Sequence, residues 1–309
     1  MGEKNQGAAT EIINADTLGG RLPSYYAKAT KLTPRNLLDN SDFTNPVNQR
    51  GQTSFKGDNY WIDRWKGASS GSSAILESGI GLTFTATGAR NLMIQNFPDG
   101  TFTGKTLTAA CCDTNGNILV GSGVFPEVGS TTTAAYNAVT GIQLLFEARN
   151  GNHGLRIGLN STVSEDVTIV WAALYEGEYI AETLPEYQPK GYSAELAECQ
   201  RYYLQFGQVN AFGFISSSAK SYYMTIQTPV PMRAIPTKVT MSGYVARIAT
   251  GYSVRTSGNF TAPESLSIWK TSPYLQGQIT VIDTIATAVD TNNSNMTFMI
   301  RDLTLSADL

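Results

Sequence analysis

Apolar and polar residues alternate with a period of two along most of this chain, the pattern of strands with one buried face. In "SAILESGIGLTFTAT" (73–87), Leu82, Phe84 and Ala86 share a face. "KTLTAACCDTNGNILVGSG" (105–123) reads as strand, turn, strand, with Asn115-Gly116 as a hairpin turn whose residues tolerate positive φ. "GIQLLFEARNGNHGLRIGLN" (141–160) repeats the device around Asn150-Gly151, and "DVTIVWAALYEG" (166–177) is a more fully buried strand. Frequent turns between short strands point to a sandwich and away from βαβ units. The period changes once. In "LPEYQPKGYSAELAECQRYYLQFG" (184–207), Pro185 and Pro189 keep the chain extended. Ser193 is then placed to cap a helix over 194–205, with Leu196, Cys199, Tyr203 and Phe206 on its docking face. Beyond it the β pattern resumes in "SYYMTIQTPVPMRAIPTKVTMSGYVARI", "GQITVIDTIATAVD" and "NMTFMIRDLTLSADL". The prolines of "PVPMRAIP" (229–236) predict an extended loop or edge.

The expected fold class is therefore all-β. A β-sandwich occupies 36–190, a short linker helix 191–207 and a second, C-terminal β-sandwich 208–309. Residues 1–35 hold few clustered apolar side chains and read as an attachment segment that orders only against a partner. That segment has no apolar core of a signal peptide, and no run of the chain reaches the roughly 20 apolar residues of a membrane span, so no membrane insertion is expected.

Composition sharpens this picture. Of 309 residues only 15% are charged, and the net charge is −3 with no basic run, so nucleic acid is not an expected partner. Three cysteines, two of them adjacent (Cys111, Cys112, Cys199), give no disulfide framework; they read as small buried hydrophobes folded in a reducing cytoplasm.

Candidate chemistry is thin. The single histidine, His153, falls in "NGNHG" and reads as a solvated turn residue. No zinc-ligand spacing, phosphate-cradling loop or nucleophile elbow is present. Glu176/Glu178 and Glu182/Glu186 are the pairs a glycosidase could use, but paired acids at a strand end are ordinary surface features. "DTNGN" (113–117) and "DTNNSN" (290–295) lack the spacing of a calcium loop and read as turns. No catalytic residue, metal or cofactor is assigned.

Binding through aromatic faces suits the composition better: 15 Tyr, 12 Phe and 4 Trp. Trp61 and Trp65 in "YWIDRW" read as core anchors, and Trp171 as core. Trp269, in "SIWKTSPY", reads as a loop residue and the leading contact candidate, with Lys270 and Tyr274 beside it and Tyr252 and Tyr244 as weaker ones. Tyr222 and Tyr223, adjacent on a strand, face opposite ways.

Three stretches carry a family resemblance. "NLLDNSDFTNPVNQRG" (36–51), "YWIDRW" (60–65) and "VTIVWAALYEGEYIAETLPEYQPKGYSAELAECQRYY" together resemble tail-fibre and receptor-binding proteins of bacterial viruses and prophages. "ADTLGGRLPSYYA" (15–27) and "TPVPMRAIPT" (228–237) are similar to other segments of such fibres. The 36–190 region also resembles the jelly roll of carbohydrate-binding modules, in which an N-L-L-x-N start leads into the first strand. Asx turns let "LLDNSDFTN" enter a sheet edge without a regular strand. Leu37, Leu38 and Phe43 would pin it to the core, while Asp63 and Arg64 would pair or cap loop amides. The resemblance implies a homotrimeric adhesin on the virion tail. Residues 1–35 would bind another tail or baseplate protein, and the C-terminal domain would bind a bacterial surface polysaccharide or other glycan. Two other classes stay open: a structural tail component meeting only virion proteins, and a polysaccharide-degrading tail enzyme.

Overall fold

A computed structural model describes residues 34–216, 221–240, 243–248, 266–270, 275–280 and 296–307. The chain divides into two units, Met1–Arg35 and Asn36–Leu309. The attachment segment expected at 1–35 lies outside the described residues, apart from its last two.

Two six-stranded antiparallel sheets pack face to face. The first runs β1 (Ser54–Lys56), β4 (Ser73–Glu77), β5 (Gly81–Phe84), β12 (Val167–Glu176), β7 (Thr106–Asp113), β8 (Ile118–Val124). The second runs β2 (Tyr60–Ile62), β3 (Trp65–Gly67), β6 (Asn91–Asn96), β11 (Asn152–Leu159), β10 (Ile142–Arg149), β9 (Ser130–Tyr136). The alternation seen in the sequence sets the faces: Leu107, Ala109 and Cys111 of β7 meet Leu144, Phe146 and Ala148 of β10 in one core. Trp61 and Trp65 are buried there, Trp61 stacked on Phe55 at 5.8 Å. Burying each large side chain contributes on the order of 2–3 kcal/mol.

The β10–β11 turn uses Asn150 and Gly151 at φ 55° and 71°, the positive-φ pair that a tight hairpin needs. At Asn115-Gly116 only Gly116 is left-handed; Asp113 closes the turn by accepting the backbone N–H groups of Asn115 and Asn117. At Gly154 a Cβ would run into the Gln95 carbonyl oxygen, so β6 and β11 can approach only with glycine there.

The lead-in Asn36–Phe43 lies along β12 where β5 stops. Leu37 N–H donates to the Leu174 carbonyl, Ala172 N–H to Ser41 and Phe43 N–H to Val170. Asn36 Oδ1 accepts the Leu174 N–H in place of a backbone carbonyl. Leu38 and Phe43 are fully buried, as the sequence suggests.

Several expectations change. His153 is not a solvated turn residue: it sits inside β11, 3% exposed, with its ring 4.7 Å from that of Phe125. The tight turn ends one residue earlier than the Asn-Gly-Asn-His string suggests. Trp171 is half-buried rather than core, because a register shift in β12 lies at this position, and it stacks flat on Tyr187 at 4.5 Å. The helix spans Tyr192–Gln200, stops short of residue 205 because a strand begins at Tyr203, and starts at Gly191 without a side-chain cap from Ser193. Its buried residues are Glu195 and Cys199, four apart, so it docks on a mixed face rather than the apolar one.

Beyond the helix, a third antiparallel sheet is built on β13 (Tyr203–Ser216) and β19 (Met296–Ser306). β14 (Ser221–Ile226), β18 (Leu275–Thr280) and β17 (Leu266–Lys270) extend it from β13; β15 (Lys238–Thr240) and β16 (Gly243–Ile248) pair with β19. The described strands hydrogen-bond into one sheet. Residues 229–236 form the expected loop.

Candidate functional site

The segments that drew notice in the sequence meet where the sandwich joins the helix and third sheet. Asp63 and Arg64 turn the chain from β2 to β3, with Arg64 in the left-handed region at φ 72°. A non-glycine residue there costs on the order of 1 kcal/mol. The turn sends two neighbouring buried side chains to different partners, so they do not pair with each other. Asp63 accepts the Gln49 N–H at 2.8 Å and Arg50 Nη1 at 2.6 Å. Arg64 donates to Asp39 Oδ2 at 3.2 Å and to the Asn96 carbonyl at 3.1 Å, and lies 3.5 Å over the Tyr202 ring.

Asn40, also left-handed, is the inner pin. Its amide donates to the carbonyls of Val47 and Asp63, and its Oδ1 accepts the Val47 N–H. Its backbone N–H donates to Glu195 Oε2 of the helix at 2.7 Å. Burial pushes the Glu195 carboxyl up, against the opposing pull of this N–H and of Lys190. Lys190 bridges Asp39 and Glu195 at 3.3 and 3.7 Å. Burial also drives the Cys199 thiol far above its ordinary range, and the Asp63 and Asp39 carboxylates add to it. The three cysteines are buried free thiols.

This junction fixes the walls of a cleft of about 640 Å³. One wall is the sandwich edge: Arg50, Gln52, Lys56, Asn59, Tyr60 and Trp61. The other is the third sheet: Tyr203, Gln205, Thr237, Lys238, Thr240, Thr304 and Ser306. Gln49 Nε2 donates to the Tyr203 carbonyl at 2.8 Å and ties the two walls. The Arg50 guanidinium lies between the rings of Tyr203 and Tyr60, at 3.7 and 4.8 Å from their centroids. Among the described residues, three cationic side chains and no acidic one line the cleft. Hydroxyls and side-chain amides make up most of the remaining lining, the groups that bind sugar hydroxyls.

The aromatic candidates fare unevenly. Trp269 and Lys270 are not in a loop: both belong to β17, at the edge of the third sheet, with the register shifting between Ile268 and Lys270 so that Trp269 is the unpaired residue of a bulge. Tyr244 lies in β16, opposite Ile300. Tyr252 and Tyr274 lie outside the described residues, as does "DTNNSN". Glu176 ends β12 and pairs with Lys105 at 3.3 Å; Glu178 follows beyond Gly177, so the two do not share a strand face. Glu182 and Glu186 are exposed. A second depression, of about 540 Å³, includes Asp113, Glu165 and Asp166, yet no cluster of metal-ligating side chains occurs among the described residues.

No protein family matches this chain, and neither a curated protein nor a solved structure shows significant similarity to it.

The sequence reading missed the cleft. Its walls come from residues 50–61, 203–205, 237–240 and 304–306, and no local pattern announces that these meet.

Proposed function

We propose that the chain is a tail-fibre or receptor-binding protein of a bacterial virus or prophage, which attaches the virion to a glycan on the host cell surface. The observation that carries this reading is the open, hydroxyl-rich and amide-rich cleft between a rigid sandwich and the third sheet. Its support is of the right kind for sugar recognition: polar side chains held by a bonded framework, beside tyrosine rings. On this reading the sandwich is a jelly roll of the carbohydrate-binding-module type, whose lead-in lies along its last strand. Residues 1–35 fix the chain to another tail or baseplate protein. Three copies form the fibre, and three weak sites on one particle raise avidity without any new contact.

Two measurements test it. Light scattering on the full chain is expected to give three times the monomer mass. Labelled protein is expected to bind a subset of bacterial cells and to lose binding when surface polysaccharide is stripped chemically. Retention on stripped cells, or binding to none across a broad panel, would defeat the glycan reading and favour a component that meets only virion proteins. Trp269→Ala is expected to weaken cell binding with an unchanged melting temperature; unchanged binding would remove the bulged edge strand from the contact surface.

A further inference from the structure

The cleft also carries information about what kind of glycan it takes. We infer that it selects an anionic oligosaccharide, a polyhydroxylated chain bearing carboxylate or phosphate groups, through the ammonium groups of Lys56 and Lys238. The inference rests on the receptor-binding reading above and deepens it.

The cationic groups of the cleft differ in what they already bind. Arg50 is committed: its guanidinium is bonded to the buried Asp63 carboxylate at 2.6 Å and flanked by Tyr60 and Tyr203. Its charge is balanced within the fold. Lys56 and Lys238 differ. Lys56 is the last residue of β1, opposite Ser73, and Lys238 the first of β15, opposite Ser306. Each is exposed, and neither has an ion-pair partner among the described residues. They come from opposite walls of one cleft whose lining, among the described residues, includes no carboxylate.

The whole chain carries a net charge of −3, so a cleft whose described lining holds only cationic and neutral side chains runs against the charge of the molecule. An anion entering the cleft is attracted to either ammonium group once it comes within roughly 8 Å at physiological salt. A neutral sugar would gain only the hydroxyl and amide contacts of Gln52, Asn59, Gln205 and Thr240. A carboxylate or phosphate would add charge-assisted bonds, which are about twice as strong as neutral ones.

The test uses the full chain on an array of bacterial surface polysaccharides holding both neutral and anionic chains. Signal is expected on anionic chains, falling as sodium chloride is raised. The double variant Lys56→Gln, Lys238→Gln is expected to lower that signal about tenfold with an unchanged melting temperature, since both side chains are exposed. Oligogalacturonate and poly(glycerol phosphate), each titrated alone, separate carboxylate from phosphate recognition. Signal confined to neutral chains, an undiminished signal from the double variant, or no signal on any chain would each overturn the inference. The first two outcomes, with cell binding intact, leave the receptor-binding reading standing; loss of cell binding altogether removes both.

Discussion

The sandwich interior and the junction beside it are both tightly closed, but by different means. Between the two sheets, Phe55, Trp61, Phe84, Leu144 and Phe146 pack into one apolar core. Beside that core, Asp39, Asn40, Asp63, Arg64, Lys190 and Glu195 are gathered into one network that joins sandwich and helix, and Gln49 and Arg50, both bonded to Asp63, carry it to Tyr203 of the third sheet. Apolar packing is tolerant of small shape changes. A buried ionic network is not, because every group in it depends on its neighbours to offset desolvation. The junction therefore specifies one relative placement of sandwich and third sheet, which is what a cleft formed between them requires.

The comparison predicts different responses to substitution. Trp65 belongs to both regions, since its indole N–H donates to the Asn40 carbonyl at 2.9 Å while its ring packs edge-on against Phe43. Trp65→Ala should show the largest loss, about 3–5 kcal/mol by urea unfolding. Arg64→Ala should cost about 3 kcal/mol, since it strips the Asp39 carboxylate and the Asn96 carbonyl of a partner. Arg64 then separates the two modes of closure. Arg64→Met keeps the bulk over Tyr202 and should recover part of that stability while still lowering glycan binding, because the walls lose their fixed angle. A full recovery of both stability and binding would mean that packing alone positions the cleft.

The two regions were also unequally legible in the sequence. Period-two alternation is a local property, so strands such as β5, β10 and β12 and the core role of Trp61 could be read directly. The lead-in could be read too, because Asn and Asp before a buried Leu or Phe have a local turn chemistry. Three local readings failed where tertiary contacts decide. His153 follows an Asn-Gly turn, but β6 and the Phe125 ring close over it. Trp171 looks like core within its apolar run, but a strand irregularity brings it against Tyr187. The helix docks by Glu195 because Asn40, 155 residues earlier, offers its N–H. The cleft needed four distant segments at once, and no pattern within any of them signals the others.

Acidity offers a finer way to tell the regions apart, because His153 in the sandwich and Glu195 at the junction are shifted so that their contributions to stability vary with pH in opposite directions. In the sandwich, burial holds the His153 imidazole below its usual range, with Asp99 partly offsetting it. The unfolded chain takes up a proton near pH 6.5 and the folded one does not, so stability present above that pH is lost as pH falls toward the folded value. His153 is the only histidine, which makes the assignment direct. Urea midpoints should fall between pH 7.5 and 5.5, and His153→Gln should flatten that fall. An unchanged slope would show that the imidazole is not shielded from protons.

Glu195 should give the smallest effect and the opposite slope. Burial raises its carboxyl above the unfolded value, so the folded state binds a proton first as pH drops. Its contribution is fullest at low pH and is lost as pH rises through the raised value. The Asn40 N–H and the Lys190 ammonium offset part of the carboxylate's desolvation. Glu195→Gln keeps an acceptor for the Asn40 N–H and removes the charge that burial penalises. It should therefore change stability at pH 7 by no more than about 1 kcal/mol, in either direction, and should abolish the low-pH gain measured in a His153→Gln background. A loss near that of Arg64→Ala would mean that the junction depends on the Glu195 charge itself and not on its hydrogen bond. Closure by ionic pairing would then reach into the helix, and the helix would hold the third sheet against the sandwich by electrostatics rather than by backbone contact.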